Sequence, residues 1–224
     1  DVNIEEDDID VNVSGAEDTA GNTQNAHNEA DEFDVDTIAP SVTISSTAPD
    51  PTNTSPIPVT ITFSEVMSGF VIGDITVGNG TASNFATSDN ITFTADITPA
   101  IDDNVTVDVN AGEATDILGN DNTAATQFVI EYDSTNPSVS ALSVNVDPVI
   151  ETSVGVGAFI VTIDYNEGMN TGVNPSVTFD PVLTTTLTSC VNSWTDTDTF
   201  TYTCNIVDVN IEEDDIDVNV SGAE

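Results

Sequence analysis

The chain contains no lysine and no arginine, and its single histidine, His27, is the one side chain able to become cationic near neutral pH. Against this stand 40 aspartates and glutamates in 224 residues, a formal charge of -40. Nothing is present to neutralise phosphate, which excludes nucleic acid as a partner. A polyanionic membrane surface would repel the chain in the same way. The lack of cations also removes the usual stabilisers of negative charge in an active site, and there is no Gly-rich phosphate cradle. Carboxylate pairs can hydrolyse glycosides, but none here stands apart from the acids of turns, so the chain is not read as an enzyme. Long apolar runs are missing too. No segment reaches the length of a transmembrane helix, and direct membrane insertion is not expected. A secretion signal is also lacking, which says nothing about export if the sequence is internal to a longer protein.

What is present is repetition. Asp1 to Glu17 reads DVNIEEDDIDVNVSGAE, and Asp208 to Glu224 reads the same. Seventeen consecutive matches indicate one 207-residue period plus an overlap, taken from a tandem array. Arrays build length, which points to a fibre or stalk. The uncompensated charge favours expansion unless salt or divalent cations offset it. Calcium is the specific expectation, because it takes oxygen ligands from Asp, Glu, Asn and backbone carbonyls.

High net charge is the usual mark of disorder, but these acids are interleaved with apolar β-formers. Val59, Ile61 and Phe63 alternate with polar residues, as do Ile91, Phe93, Ala95 and Ile97, and again Val105, Val107 and Val109. Such alternation puts one side of each strand on a core. Two similar segments, Asp36 to Val42 and Asp133 to Val139, mark domain boundaries. Between them, residues 38–133 form a complete domain of β-sandwich size. Its expected strands are Val42 to Ser46, Ile57 to Ser64, Ile72 to Val77, Ala82 to Phe85, Ile91 to Ile97, Val105 to Asn110 and Thr126 to Tyr132. The fold class is all-β, with two antiparallel sheets per domain.

A second domain runs over residues 134–224, with strands expected at Val139 to Val146, Phe159 to Tyr165, Val177 to Phe179, Leu183 to Cys190 and Phe200 to Val207. Its last strand or strands are missing there, and their equivalents stand at 18–37, within an N-terminal piece covering 1–37. In this alignment Ile9, Val11 and Val13 take the places of Val105, Val107 and Val109. Asp18 to Asn22 matches Asp116 to Asn120, and Asp36 matches Asp133. An unpaired sheet edge beside a free complementary strand invites strand addition. Neighbouring copies of the repeat are therefore expected partners, joined covalently in an array or head to tail in a filament.

The opening Ala39-Pro40-Ser41-Val42-Thr43-Ile44, the strand Ile61-Thr62-Phe63-Ser64-Glu65, Gly73-Asp74-Ile75-Thr76-Val77, Asn79-Gly80-Thr81-Ala82, and Asp116 to Asn120 followed by Asn122 together resemble a known family. They are similar to the calcium-dependent bacterial immunoglobulin-like repeats of large surface adhesins. The second domain shares Ile163-Asp164-Tyr165-Asn166-Glu167 but has no clear counterpart of the Gly73-Asp74 segment. The resemblance implies tandem immunoglobulin-like Greek-key sandwiches and an extracellular stalk. It also implies calcium stiffening near domain junctions, with a surface or glycan receptor met only at a distal tip.

Candidate calcium ligands are Asp18, Asn22, Asp116 and Asn120 in Gly-containing turns, Asp36 and Asp133 at strand ends, and Glu65 and Glu167 after the second strand of each domain. Turn chemistry alone also favours Asp and Asn at such places. Glu5 to Asp8 is expected as a solvated run between strands. Cys190 and Cys204, the only cysteines, flank a hairpin-like stretch and are expected to form a disulfide in an exported protein. Trp194 within that stretch is open to two readings, an exposed contact or an aromatic folded on its own hairpin. A structural extension module leads, ahead of a ligand-binding adhesin repeat.

Overall fold

The computed structural model describes residues 5–147, 149–183, 185–207 and 216–222. Residues 1–4, and 208–215 at the start of the second copy of the duplicated segment, lie outside the described residues. The chain divides into two compact units, Asp1–Ser134 and Thr135–Glu224. Both are built of antiparallel sheets, with no α-helix among the described residues.

The first unit begins with a two-stranded hairpin, β1 (Glu5–Val13) and β2 (His27–Asp36). Glu5 to Asp8 was expected between strands; it forms the first part of β1 instead, paired with the end of β2 through Glu5 opposite Asp36 and Glu6 opposite Val35. A sandwich follows, made of β3 (Val42–Ser46), β4 (Ile57–Phe63), β5 (Met67–Ser68), β6 (Ile75–Gly78), β7 (Gly80–Thr87), β8 (Thr92–Pro99), β9 (Asp103–Val109), β10 (Thr115–Asp116) and β11 (Phe128–Tyr132). One sheet has the order β3-β4-β8-β7 and the other β11-β9-β6, while β5 and β10 pair with each other. This is the strand order of the seven-stranded immunoglobulin constant-type sandwich.

The alternation expected from the sequence sets the core. Ile57, Val59, Ile61 and Phe63 of β4 are buried, as are Phe93, Ala95 and Ile97 of β8 and Val105, Val107 and Val109 of β9. Phe63, Phe70, Phe85 and Phe93 close one end with ring centroids 5.0–5.8 Å apart. Threonines and acids take the outward positions of these strands. His27 and Glu29 form an ion pair at 2.6 Å.

The second unit contains β12 (Val139–Val144), β13 (Gly155–Tyr165), β14 (Ser176–Asp180), β15 (Leu187–Trp194), β16 (Thr199–Ile206) and β17 (Asp217–Ser221). The sheet β12-β13-β16-β15 reproduces the order β3-β4-β8-β7, and β14 pairs with β17 as β6 pairs with β9. Phe159, Val161, Ile163, Leu187, Phe200 and Ile206 are buried between these sheets. A disulfide joins Cys190 and Cys204 across β15 and β16, with Cys204 fully buried. Trp194 folds back on its own hairpin, 5.1 Å from Phe200 and 5.7 Å from Tyr165 between ring centroids, and its Nε1 donates to Val173 O.

Candidate metal centre

Asp116 organises a tight turn. Its Oδ1 accepts the N–H groups of Leu118 (2.8 Å), Gly119 (2.6 Å) and Asn120 (2.9 Å), and its Oδ2 accepts the Asn120 amide at 2.7 Å. Gly119 sits at φ 99°, a left-handed conformation that a side chain would strain. Asn122, two residues beyond the turn, is buried. Asn122 Oδ1 accepts the Ala114 N–H at 2.9 Å, and its Nδ2 donates to Asn110 O and Thr123 O at 2.8 Å each.

Asp18 builds the same turn in the first loop of the chain. Its Oδ1 accepts the N–H groups of Ala20 and Asn22, and its Oδ2 accepts the Asn22 amide at 2.7 Å. The isolated bridges that close the two turns also correspond, Glu17 with Thr23 and Thr115 with Asp121. Two segments of unlike surroundings therefore fold alike because their Asp, Gly and Asn positions are alike.

Three carboxylates from separate elements meet at the Asp116 turn. Asp36 ends β2, Glu65 follows β4 and Asp116 lies in β10, and one oxygen of each lies within 4.8 Å of the others. Asp116 is buried while Asp36 and Glu65 are half-buried. The Asn120 amide also donates to Asp36 O at 3.2 Å. Oxygen donors of this kind and spacing suit a hard divalent cation, with carbonyls and water completing six to eight ligands.

Burial pushes the Asp116 carboxyl up, but the Asn120 amide and the N–H groups of Asn120, Gly119 and Leu118 outweigh it and hold the group below the usual carboxylate value. A depressed folded-state pKa gives stability that is full above the unfolded value and lost as pH falls through the folded one. Denaturation in chelator should therefore show the wild-type advantage over Asp116→Asn shrinking as pH drops through and below the ordinary carboxylate range. The comparison cancels the relief of acid repulsion that low pH brings to both chains, so a pH-independent difference would contradict this account.

The other expected ligands are placed apart. Asn120 stands beside the cluster but turns its amide nitrogen to Asp116 and Asp36. Asp18 and Asn22 are exposed and belong to no such cluster among the described residues. The Asn22 side chain and the N–H groups of Asn22 and Ala20 lower the Asp18 pKa. Asp133 ends the sandwich, its N–H bonded to Thr52 O at 3.0 Å. Glu167 is half-buried, and its Oε1 is enclosed without a hydrogen-bond partner. The role of Asn122 was not readable from its type alone, since turn Asn residues are common and only its burial marks it out.

Residues 36–132 match the family model of the bacterial Ig-like domain. The match begins at Asp36 itself, so the Ig-like domain includes all three carboxylates of the cluster. No curated protein and no solved structure matches the chain. No helix among the described residues is long and apolar enough to cross a membrane.

Proposed function

We propose that this chain is a structural extension module of an extracellular tandem-repeat fibre or adhesin stalk, stiffened by calcium. The observation that carries the reading is the position of Asp36. It ends the hairpin strand that precedes the Ig-like domain, yet its carboxylate meets Glu65 and Asp116 of the sandwich. A calcium ion held by these three would clamp the connection between β2 and β3. Uncompensated acids across the rest of the surface leave such a site no internal cation as competitor. The Cys190–Cys204 disulfide fits an oxidising, extracellular setting. Contact with a surface or glycan belongs to a distal tip in this reading, and catalysis has no part in it.

Thermal unfolding with calcium, against sodium and magnesium at matched ionic strength, tests the proposal. Calcium at about a hundred times its dissociation constant should add about 2.7 kcal/mol to the Ig-like domain. Asp116→Asn, which keeps an oxygen for the turn but loses the charge, should abolish most of that gain. Equal responses to all three cations, or an unchanged response in the variant, would reduce calcium to general screening.

A further inference from the structure

At Gly78-Asn79-Gly80 the chain leaves one sheet of the Ig-like domain for the other. β6 ends at Gly78 and pairs with β9, while β7 begins at Gly80 and pairs with β8. Asn79 alone makes the crossing, at φ 55°, a left-handed conformation that asparagine tolerates better than most side chains. Gly80 is required by close approach, since a Cβ there would lie 2.8 Å from Thr98 O. The crossing therefore favours asparagine followed by glycine, and this is the one Asn-Gly pair in the sequence.

The same pair is chemically labile. With no Cβ on the glycine, its backbone nitrogen swings readily onto the asparagine side-chain carbon. That nitrogen bonds to Cγ, the Cγ–Nδ2 bond breaks, and the N–H proton departs with the amide nitrogen as ammonia. Water then opens the cyclic imide at either carbonyl, leaving aspartate or isoaspartate. The net change is amide plus water to acid plus ammonia, and solvent supplies the water.

In the folded domain the Asn79 side chain is held away from this reaction. Its Nδ2 donates to Ile101 O at 3.0 Å and to Asp103 O at 3.2 Å, and its Oδ1 accepts the Ile101 N–H at 3.2 Å. Its main-chain O accepts the Ala100 N–H, also at 3.2 Å. One residue thus staples the β6–β7 crossing to the loop from Ala100 to Asp102, which joins β8 to β9. That loop in turn holds Ser134, the last residue of the first unit. Asp102 Oδ1 accepts the Ser134 N–H at 3.1 Å and its hydroxyl at 2.8 Å.

We infer that Asn79 is a site of covalent modification by deamidation, guarded by the loop from Ala100 to Asp102 and exposed when that loop opens. Turning Cγ towards the Gly80 nitrogen requires all three side-chain hydrogen bonds to break. The product cannot restore them. A carboxylate has no hydrogen to give Ile101 O and Asp103 O, and it sets negative charge against both carbonyls. Isoaspartate also adds a methylene to the main chain at the crossing. The loop then stays loosened, and with it the anchor of Ser134. A transient opening is recorded as a permanent change where the chain leaves the domain. The inference needs neither calcium nor the reading of the chain as an extension module.

Peptide mapping of the 224-residue chain tests it, after incubation in mildly alkaline buffer with chelator, folded or in guanidinium chloride. Pepsin does the cutting, because trypsin has no lysine or arginine to cut at and acid halts the reaction. Asn79 should be converted in the denatured chain, and at least about tenfold more slowly in the folded one. In Asn79→Asp, amide hydrogen exchange at Ile101 and Ser134 should quicken severalfold while the core amides of β4 keep their protection. Asn79→Gly accepts the left-handed φ and removes the amide without adding charge, so it serves the same exchange test if Asn79→Asp does not fold. Equal conversion in folded and denatured chains would overturn the guarding role. No conversion at Asn79 in the denatured chain would overturn the site itself, and unchanged exchange at Ser134 would break its link to the end of the domain.

Discussion

Asn122→Ala is expected to destabilise the Ig-like domain by about 1–3 kcal/mol, a sizeable share of the roughly 5–15 kcal/mol that holds an ordinary domain together. Asn122 is 2% exposed, and its side chain satisfies one backbone N–H and two backbone carbonyls around the loop from Asn110 to Thr123. Its own main chain adds two more bonds, N–H to Ala114 O and O from the Gly112 N–H. Alanine keeps these main-chain bonds but leaves the buried Ala114 N–H without a partner, at about 1–3 kcal/mol, and turns the part-buried Asn110 and Thr123 carbonyls over to solvent. Leucine should be no better, because volume is not what is lost. Urea denaturation reads the effect as a lower midpoint at nearly constant slope. The loop is also the support of Asp116, so calcium affinity should fall in the same variant. A loss below about 1 kcal/mol would mean that water enters the loop and replaces the amide.

Removing the disulfide should produce the second large effect, and it should be confined to the second unit. Replacing both Cys190 and Cys204 by serine frees a loop of about 15 residues, worth about 3 kcal/mol of unfolded-state entropy. The same change places a hydroxyl where Cys204 is fully buried among Phe159, Phe200 and Ile206. For a unit of this size the melting temperature should drop by about 10 °C or more. Calorimetry with and without reductant separates the outcomes. One transition should move and the other, belonging to the Ig-like domain, should stay. Two transitions moving together would show that the units do not unfold independently.

The sandwich was legible because its strands alternate so regularly. β3 has the limits expected from the sequence, and β4 and β9 differ by one or two residues at an end. The differences have local causes. Ile72 to Val77 was expected as one strand, but Ile72–Asp74 is a 3-10 turn because Asp74 Oδ2 accepts the Val71 N–H at 2.7 Å. Leu183 to Cys190 was also expected as a strand. The N–H groups of Thr186 and Leu187 both bond Leu183 O, so a turn occupies the start, and β15 extends onward to Trp194. The two-residue strands β5 and β10 carry no periodicity to read. At the candidate site, residue types were readable but their meeting was not. Asp36, Glu65 and Asp116 are far apart in sequence, and only the pairing of sheets brings them within 4.8 Å.

His27 and Glu29 form an ion pair, and the sequence has no lysine or arginine to set against its other acids. Electroneutrality then requires that each chain be accompanied by an equivalent of up to 40 positive charges from the medium. A coat of such molecules would behave as a fixed-charge phase, drawing mobile cations in and holding mobile anions out. Its osmotic pressure would swell it with water, and its thickness would follow the ionic strength of the surroundings.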